Sequence, residues 1–298
     1  MSNLHTKTDV HQEITNKIVT AIETAGEFQL PWIRSSGSLL RPVNVTSEKP
    51  YNGVNILSLW ISALAGNYAS NIWGTYRQWQ ERGCQVRKGE KSSLIVFYKT
   101  IEVEASGEGD HGQPVERMFA RASHVFNAAQ VDGFESPQEL VPDAPAFDPV
   151  AEAERFVAST GARIEESGDS ACFVPSLDLI RMPERRRFIG TDTSSPAESW
   201  YSTLCHELVH WSGAKPRLDR DMTGRFGSES YAMEELVAEL GAAFLCSDLG
   251  ISQTPREDHA CYIANWLRVL KSDKKAVFTA ASKASEAANW LQTPSGAP

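Results

Sequence analysis

The chain has little that would tie it to an oxidising compartment or a membrane. Its five cysteines among 298 residues (Cys84, Cys172, Cys205, Cys246 and Cys261) are odd in number, scattered and never spaced as CxxC, which excludes a small disulfide scaffold. No apolar run reaches the roughly 20 residues that a bilayer crossing needs; stretches such as Val54–Ala65 are short and interrupted. The first ten residues carry Asn3, His5, Lys7 and Asp9 with no apolar run behind them, so no secretory signal is read and a cytoplasmic location is expected. Internal repeats and long low-complexity runs are absent as well. Apolar residues at 41% and charged ones at 22% are ordinary globular usage, enough for about two domains.

An overall excess of positive charge is also missing, since the net charge is −9. Divided, it tells more. Residues 136–298 hold 16 basic against 24 acidic side chains, whereas residues 41–99 hold 8 basic against 3 acidic. That basic segment also carries Tyr51, Trp60, Tyr68, Trp73, Tyr76, Trp79, Phe97 and Tyr98. Nucleic-acid binding follows local rather than global potential, and cations interleaved with aromatic rings suit sequence-tolerant binding of single strands. Arg87, Lys88 and Lys91, flanking Gly89 in a turn, are the leading candidates for backbone contact; Arg41, Lys49, Asn52 and Arg77 come next. Trp60 and Trp79 suit base stacking and core packing alike.

Four prolines within Ser136–Val150 read as an extended linker, dividing the chain into a domain over 1–135 and another over 151–298. In the first, helices are expected over His11–Ala25, Val54–Ala65 and Thr75–Arg82. Strands Ser93–Glu104 and Met118–Phe126 should pair antiparallel around the glycine-rich segment Ser106–Pro114. In the second, a helix over Val150–Thr160 and short strands at Ala171–Val174 and Leu177–Met182 precede helices over Pro196–Trp211, Tyr231–Leu249, Arg256–Leu270 and Lys275–Leu291. Both halves are therefore α+β: an antiparallel sheet with helices first, then a mainly helical domain with a small sheet.

His206-Glu207-Leu208-Val209-His210 is an HExxH sequence. On a helix the two histidines lie on one face about 5–6 Å apart at Cβ, so both can reach one tetrahedral Zn²⁺, with Glu207 beside them to take a proton from a bound water. Ser195, Pro196 and Glu198 supply an N-cap, an N1 proline and a capping box for that helix. A shuffled chain of this composition shows the motif in roughly one case per hundred. A third protein ligand is required. Gly213 suits the metzincin pattern, but its last position is Pro216, which offers no ligand. The segment Tyr231–Glu239 instead places Glu235 and Glu239 at i, i+4. Glu235 is expected to be the ligand, Glu239 to hold a ligand histidine's free N–H, and Glu234 to point away. Candidate donors to a developing oxyanion are His259, then Tyr231, Tyr201 and Tyr262. Leu177–Met182 is the expected edge strand for a peptide substrate, and Arg185-Arg186-Arg187 reads as a solvated charge run with an alternative role in gripping nucleic acid or an acidic partner. A His₂Glu set is too poor in carboxylates for a two-metal nuclease.

These residues carry a resemblance. Leu204–His210, Tyr231–Glu239 and the stretch from His259 through Trp266 to Lys275 resemble the zincin-type metallopeptidase domain of ArdC antirestriction proteins and of related plasmid primases and phage polyvalent proteins. The first half is similar to the ArdC N-terminal domain at Ile14–Ile22, Pro31-Trp32, Arg41–Asn44, Tyr51–Asn55, Trp73–Trp79, Val86–Lys91 and Val125–Asn127. The resemblance spans nearly the whole chain and implies a plasmid-borne protein. It further implies single-stranded DNA binding by the first half, a zinc-dependent peptidase of the HExxH-plus-glutamate kind acting on an unidentified protein, and protection of incoming plasmid DNA from restriction. The alternative is a non-catalytic protein that coats DNA and keeps a vestigial or structural metal site. The acidic segment Glu102–Asp110 departs from a DNA-binding pattern if it lies on the binding face.

Overall fold

The computed structural model describes residues 9–25, 39–103, 115–135, 148–191, 194–224, 228–252 and 259–293. The linker over 136–147, the segments 26–38 and 104–114, and residues 253–258 lie outside the described residues, and with them Pro31-Trp32, most of Glu102–Asp110 and the start expected at Arg256.

The fold is α+β throughout. In the first half, α1 (Val10–Thr24) is capped by Asp9, whose carboxylate accepts from the amides of His11 and Gln12, and it buries Ile14, Ile18 and Ile22 along one stripe. α2 (Val54–Gly66) and the short α3 (Tyr76–Glu81), closed by a Thr75–Gln78 capping box, follow. The main sheet has the order β1-β2-β5-β4, with β1 (Val43–Asn44) parallel to β2 (Ile72–Gly74) and β2 antiparallel to β5 (Val115–Asn127). β5 pairs along its length with β4 (Ser93–Val103). A second ladder joins β3 (Gln85–Val86) to β6 (Val131–Asp132). β4 is an edge strand, and the protein covers part of that edge with side chains. The Asn55 amide donates to Val96 O and accepts from Val96 N, both at 2.8 Å, and Ser58 Oγ donates to Leu94 O at 2.7 Å. Buried backbone polar groups are thereby satisfied without another strand.

In the second half, α4 (Pro149–Thr160) leads into the sheet β7-β9-β8, with β9 (Leu179–Met182) in the middle, parallel to β7 (Ile164–Glu166) and antiparallel to β8 (Cys172–Val174). The expectation that Leu177–Met182 forms the edge is therefore corrected: the edge next to the long helices is β8. α5 (Pro196–Ser212), α6 (Glu229–Leu249), α7 (His259–Ser272) and α8 (Ala276–Leu291) complete the chain. No helix among the described residues is long and apolar enough to cross a membrane.

One hydrophobic core runs through both halves. Trp60 of α2 meets Phe244 of α6 at 5.7 Å between ring centroids, Arg41 Nη1 donates to Asp248 at 2.7 Å, Gly53 N donates to Ser285 Oγ, and Thr15 Oγ1 donates to Lys274 O. Trp60, Trp73 and Trp79 are all buried. Of the two roles open to Trp60 and Trp79, the core is the one they take.

Candidate metal centre

α5 carries the HExxH sequence, and its start is fixed as the residues dictate. Ser195 Oγ accepts from Glu198 N at 3.2 Å, while the Glu198 carboxylate accepts from Ser195 N at 2.8 Å and from Ser252 N at 3.0 Å. α6 begins at Ser228, which caps Tyr231 N, and packs closely on α5: a Cβ added at Gly241 would stand 2.7 Å from Val209 Cγ2. That approach brings the first two turns of α6 to the histidines.

His206, His210 and Glu235 converge, with ligand atoms all within 4.8 Å of one another. His206 Nε2 is 3.1 Å from His210 Nε2; Glu235 Oε2 stands 3.5 Å from the former and Glu235 Oε1 3.6 Å from the latter. A tetrahedral zinc with bonds of roughly 2.0–2.1 Å has ligand atoms roughly 3.3–3.4 Å apart, a spacing that the two histidine nitrogens and the two Glu235 oxygens bracket. Burial alone would raise the Glu235 pKa, but the hydrogen bond to His206, the charges of both histidines and a hydrogen bond from Tyr231 hold it down to about 2. A carboxylate ionised at neutral pH is what a cation site requires.

The environment of the histidines differs from the sequence expectation. Glu234 does not point away. It is buried, its Oε1 lies 3.3 Å from His210 Nδ1, and Arg220 clamps it through Nη2 at 2.8 Å and Nε at 3.2 Å. Arg220 is itself buried, donating also to Val209 O and Ser212 Oγ, and a Cβ at Gly213 would stand 2.6 Å from its Nη2. The glycine that suits the metzincin pattern here makes room for an arginine. Glu239 Oε2 is 3.7 Å from His206 Nδ1, beyond hydrogen-bond length but on the side expected. Glu207 is buried, and its Oε2 accepts from the Phe173 amide of β8 at 2.9 Å. His206, Glu207, His210, Glu234 and Glu235 open onto a cleft of about 480 Å³ that Cys172, Phe173 and Tyr231 also line.

The remaining residues are distributed as follows. Tyr201 is buried away from the cleft beside Arg185, its hydroxyl 3.0 Å from Nη1 and its pKa pushed up to about 12, chiefly by burial. His259 opens α7, but its side chain and that of Tyr262 lie outside what the structure describes. The arginine tract is fully engaged: Arg185 with Glu154 and Glu166, Arg186 with Glu184, Arg187 with Asp169. Arg41, expected at a DNA surface, is buried between Asp248 and Asn52 and is corrected to an internal ion-pair role. Lys49, Asn52, Arg77, Arg87, Lys88 and Lys91 are exposed, Arg77 paired to Glu81 and Arg87 to Glu90. Arg87–Glu90 is a turn with Gly89 at φ +91°, a backbone that glycine adopts without strain.

Comparison with known proteins agrees with this fold. Residues 8–126 match the N-terminal domain of anti-restriction factor ArdC, and residues 151–283 match a zincin-like metallopeptidase. The metal-free crystal structure of the antirestriction ArdC protein from the R388 plasmid superposes with a TM-score of 0.78 at 38% identity, over 96% of this chain and 97% of that one. The chain belongs to the ArdC antirestriction family. The Mn(II)-bound structure of the same plasmid protein gives a TM-score of 0.74 at 38% identity, over 96% of this chain and 97% of that one. The y4eC protein of Sinorhizobium fredii is 48% identical over 96% of this chain and 92% of its own length. The DNA primase TraC of Escherichia coli is 32% identical over 96% of this chain and 27% of that longer protein.

Proposed function

We propose that this ArdC family member binds single-stranded DNA through its N-terminal half and hydrolyses a peptide bond in a DNA-associated or restriction protein at a zinc centre in its C-terminal half. Together these actions protect incoming plasmid DNA in the cytoplasm. The observation that carries the reading is the convergence of His206, His210 and Glu235 with Glu207 in one cleft.

Held by those three residues, Zn²⁺ supplies a Lewis acid and lowers the pKa of water at the site. His210 donates from Nδ1 to Glu234, so its Nε2 presents a lone pair toward the site. Phe173 N–H orients the Glu207 carboxylate, which takes the proton from the attacking water and returns it to the departing amine nitrogen. The outer edge of β8 faces α5 across the cleft and is the rail for an extended peptide, in place of Leu177–Met182. Lys49, Asn52, Arg77, Arg87, Lys88 and Lys91 are assigned to the DNA backbone; Tyr231 and His259 are assigned to the oxyanion.

The test compares wild type with Glu207→Ala on host-extract proteins, with and without single-stranded DNA. The expected result is loss of one polypeptide with wild type only, while the variant keeps its zinc and its DNA affinity. Undiminished plasmid protection in cells carrying Glu207→Ala overturns the peptidase and leaves a DNA-coating protein.

A further inference from the structure

β4 and β5 continue together past the rest of their sheet. β2 meets β5 only at Asn127 and Phe126, and α2 covers the edge of β4 only as far as Val96. From Phe97 to Val103 and from Val115 to Arg121 each strand has, among the described residues, only the other as sheet partner, a ribbon roughly 23 Å long at about 3.3–3.4 Å per residue. A two-stranded ribbon by itself is marginally stable in water, so what its faces meet matters.

One face meets the protein. Tyr98 Oη is 3.1 Å from His11 Nε2, and Ala120, opposite Tyr98, packs on the core. The alternate face does not. The register sets Phe97 against Arg121 and Lys99 against Phe119, so the two rings occupy one diagonal of a two-by-two array and the two cations the other. Phe97 is 49% exposed and Phe119 48%, and Lys99 and Arg121 are exposed. Neither ring meets another aromatic ring and neither cation has an ion-pair partner among the described residues.

Trp60, Trp73 and Trp79 are buried, Tyr98 is turned to α1, and Tyr76 is tied to Gln85 and set edge-on to Phe126. Among the described residues of this half, Phe97 and Phe119 are the large exposed rings left without such a contact. We propose that the Phe97–Lys99–Phe119–Arg121 array is a stacking face for single-stranded nucleic acid, the rings receiving bases and the cations the phosphates beside them. This rests on the single-strand binding proposed above and assigns it a place outside the Arg87–Lys91 turn. A ring accepts any base, whereas a duplex keeps its bases stacked inside and offers the rings nothing, so the face selects single strands without selecting sequence. Cations spaced between rings match a polyanion better than they match an apolar protein surface.

The experiment is fluorescence anisotropy of a labelled thirty-nucleotide oligo-dT with the full chain. Phe97→Ala/Phe119→Ala is expected to weaken binding at least about tenfold, Phe97→Trp/Phe119→Trp to restore it, and Lys99→Ala/Arg121→Ala to reduce the salt slope by about 1.4. Failure of the wild type to bind oligo-dT overturns the underlying reading. Wild-type affinity in the folded alanine pair, with loss in Lys88→Ala/Lys91→Ala, overturns the present inference alone. Unchanged oligo-dT affinity with loss of a concentration-dependent self-association in sedimentation makes the face a contact between copies and overturns it too. Photocrosslinking of an iodouridine oligonucleotide to the wild type keeps the question open to refutation if the alanine pair does not fold: crosslinks mapped within residues 97–121 are expected, and crosslinks confined elsewhere overturn the assignment.

Discussion

Glu234 Oε1 stands 3.3 Å from His210 Nδ1, while the same carboxylate is clamped by Arg220, making a buried relay from a loop arginine to a ring of the candidate metal centre. Burial would raise the Glu234 pKa, but the hydrogen bonds from His210 and Arg220 outweigh it and keep the carboxylate ionised. Glu234→Gln is expected to weaken zinc binding about 10–100-fold, read by chelator competition. Arg220→Ala should do more, because it leaves an uncompensated buried charge and costs about 3–5 kcal/mol of stability, read by thermal melts. Wild-type zinc affinity in both variants would sink the relay.

Gly241 faces Val209 where α6 crosses α5, and a Cβ there would lie 2.7 Å from Val209 Cγ2. Gly241→Ala gains about 1 kcal/mol of helix propensity and loses about 1–3 kcal/mol to overpacking. The close approach therefore decides the sign: the variant should melt lower and bind zinc more weakly, since Glu235 rides on the displaced helix. Val209→Ala in the same chain should recover zinc binding, and its failure to do so would place the effect elsewhere.

Local rules were enough to read α5 from sequence: Ser195, Pro196 and Glu198 announce its start, and the observed capping box is the one expected. The long hairpin and the four C-terminal helices were legible for the same reason, each being a periodic run longer than its own ambiguity. β1 and β3 were not, because two residues display no alternation. The edge strand was misread because β7 crosses over to lie beside β9 and pushes β8 outward, an order that no local pattern records. The i, i+4 spacing of Glu235 and Glu239 leaves Glu234 off their shared face, whereas His210, one turn on from His206, meets α6 from the Glu234 side. Arg41 shows the same limit. Its charge is visible in the chain, but its partner Asp248 is 207 residues away.

Trp60 joins the halves by packing on Phe244 while its Nε1 donates to Leu40 O at 3.0 Å. Because the core is shared, heating should unfold both halves in one cooperative transition, seen by calorimetry. Trp60→Ala should lower that single transition by about 3–5 kcal/mol. Any loss of oligonucleotide affinity should appear only as the protein unfolds. Two separated transitions in the wild type would contradict the shared core.

Lys17 gives the chain an alkaline dependence with a defined sign. Its Nζ donates to Ser58 O and Ser62 Oγ, both at 2.7 Å, and to Ser58 Oγ at 3.1 Å; burial lowers its pKa to about 8, only partly opposed by Glu13. Between that value and the roughly 10.4 of a free lysine, the unfolded chain holds a proton that the folded chain has released, so this residue's contribution to stability rises with pH across the window. Below pH 8 both states are protonated and the contribution sits at its lower plateau. Lys17→Met removes the charge without stranding the hydroxyls, since Ser58 Oγ still donates to Leu94 O and Ser62 Oγ to Ser58 O. The variant should therefore be more stable than wild type at pH 7, by on the order of 1–3 kcal/mol, and the gap should close as pH approaches 10. Denaturant titrations of both proteins at several pH values measure that gap, and a difference independent of pH would show that Lys17 keeps its proton in the folded protein.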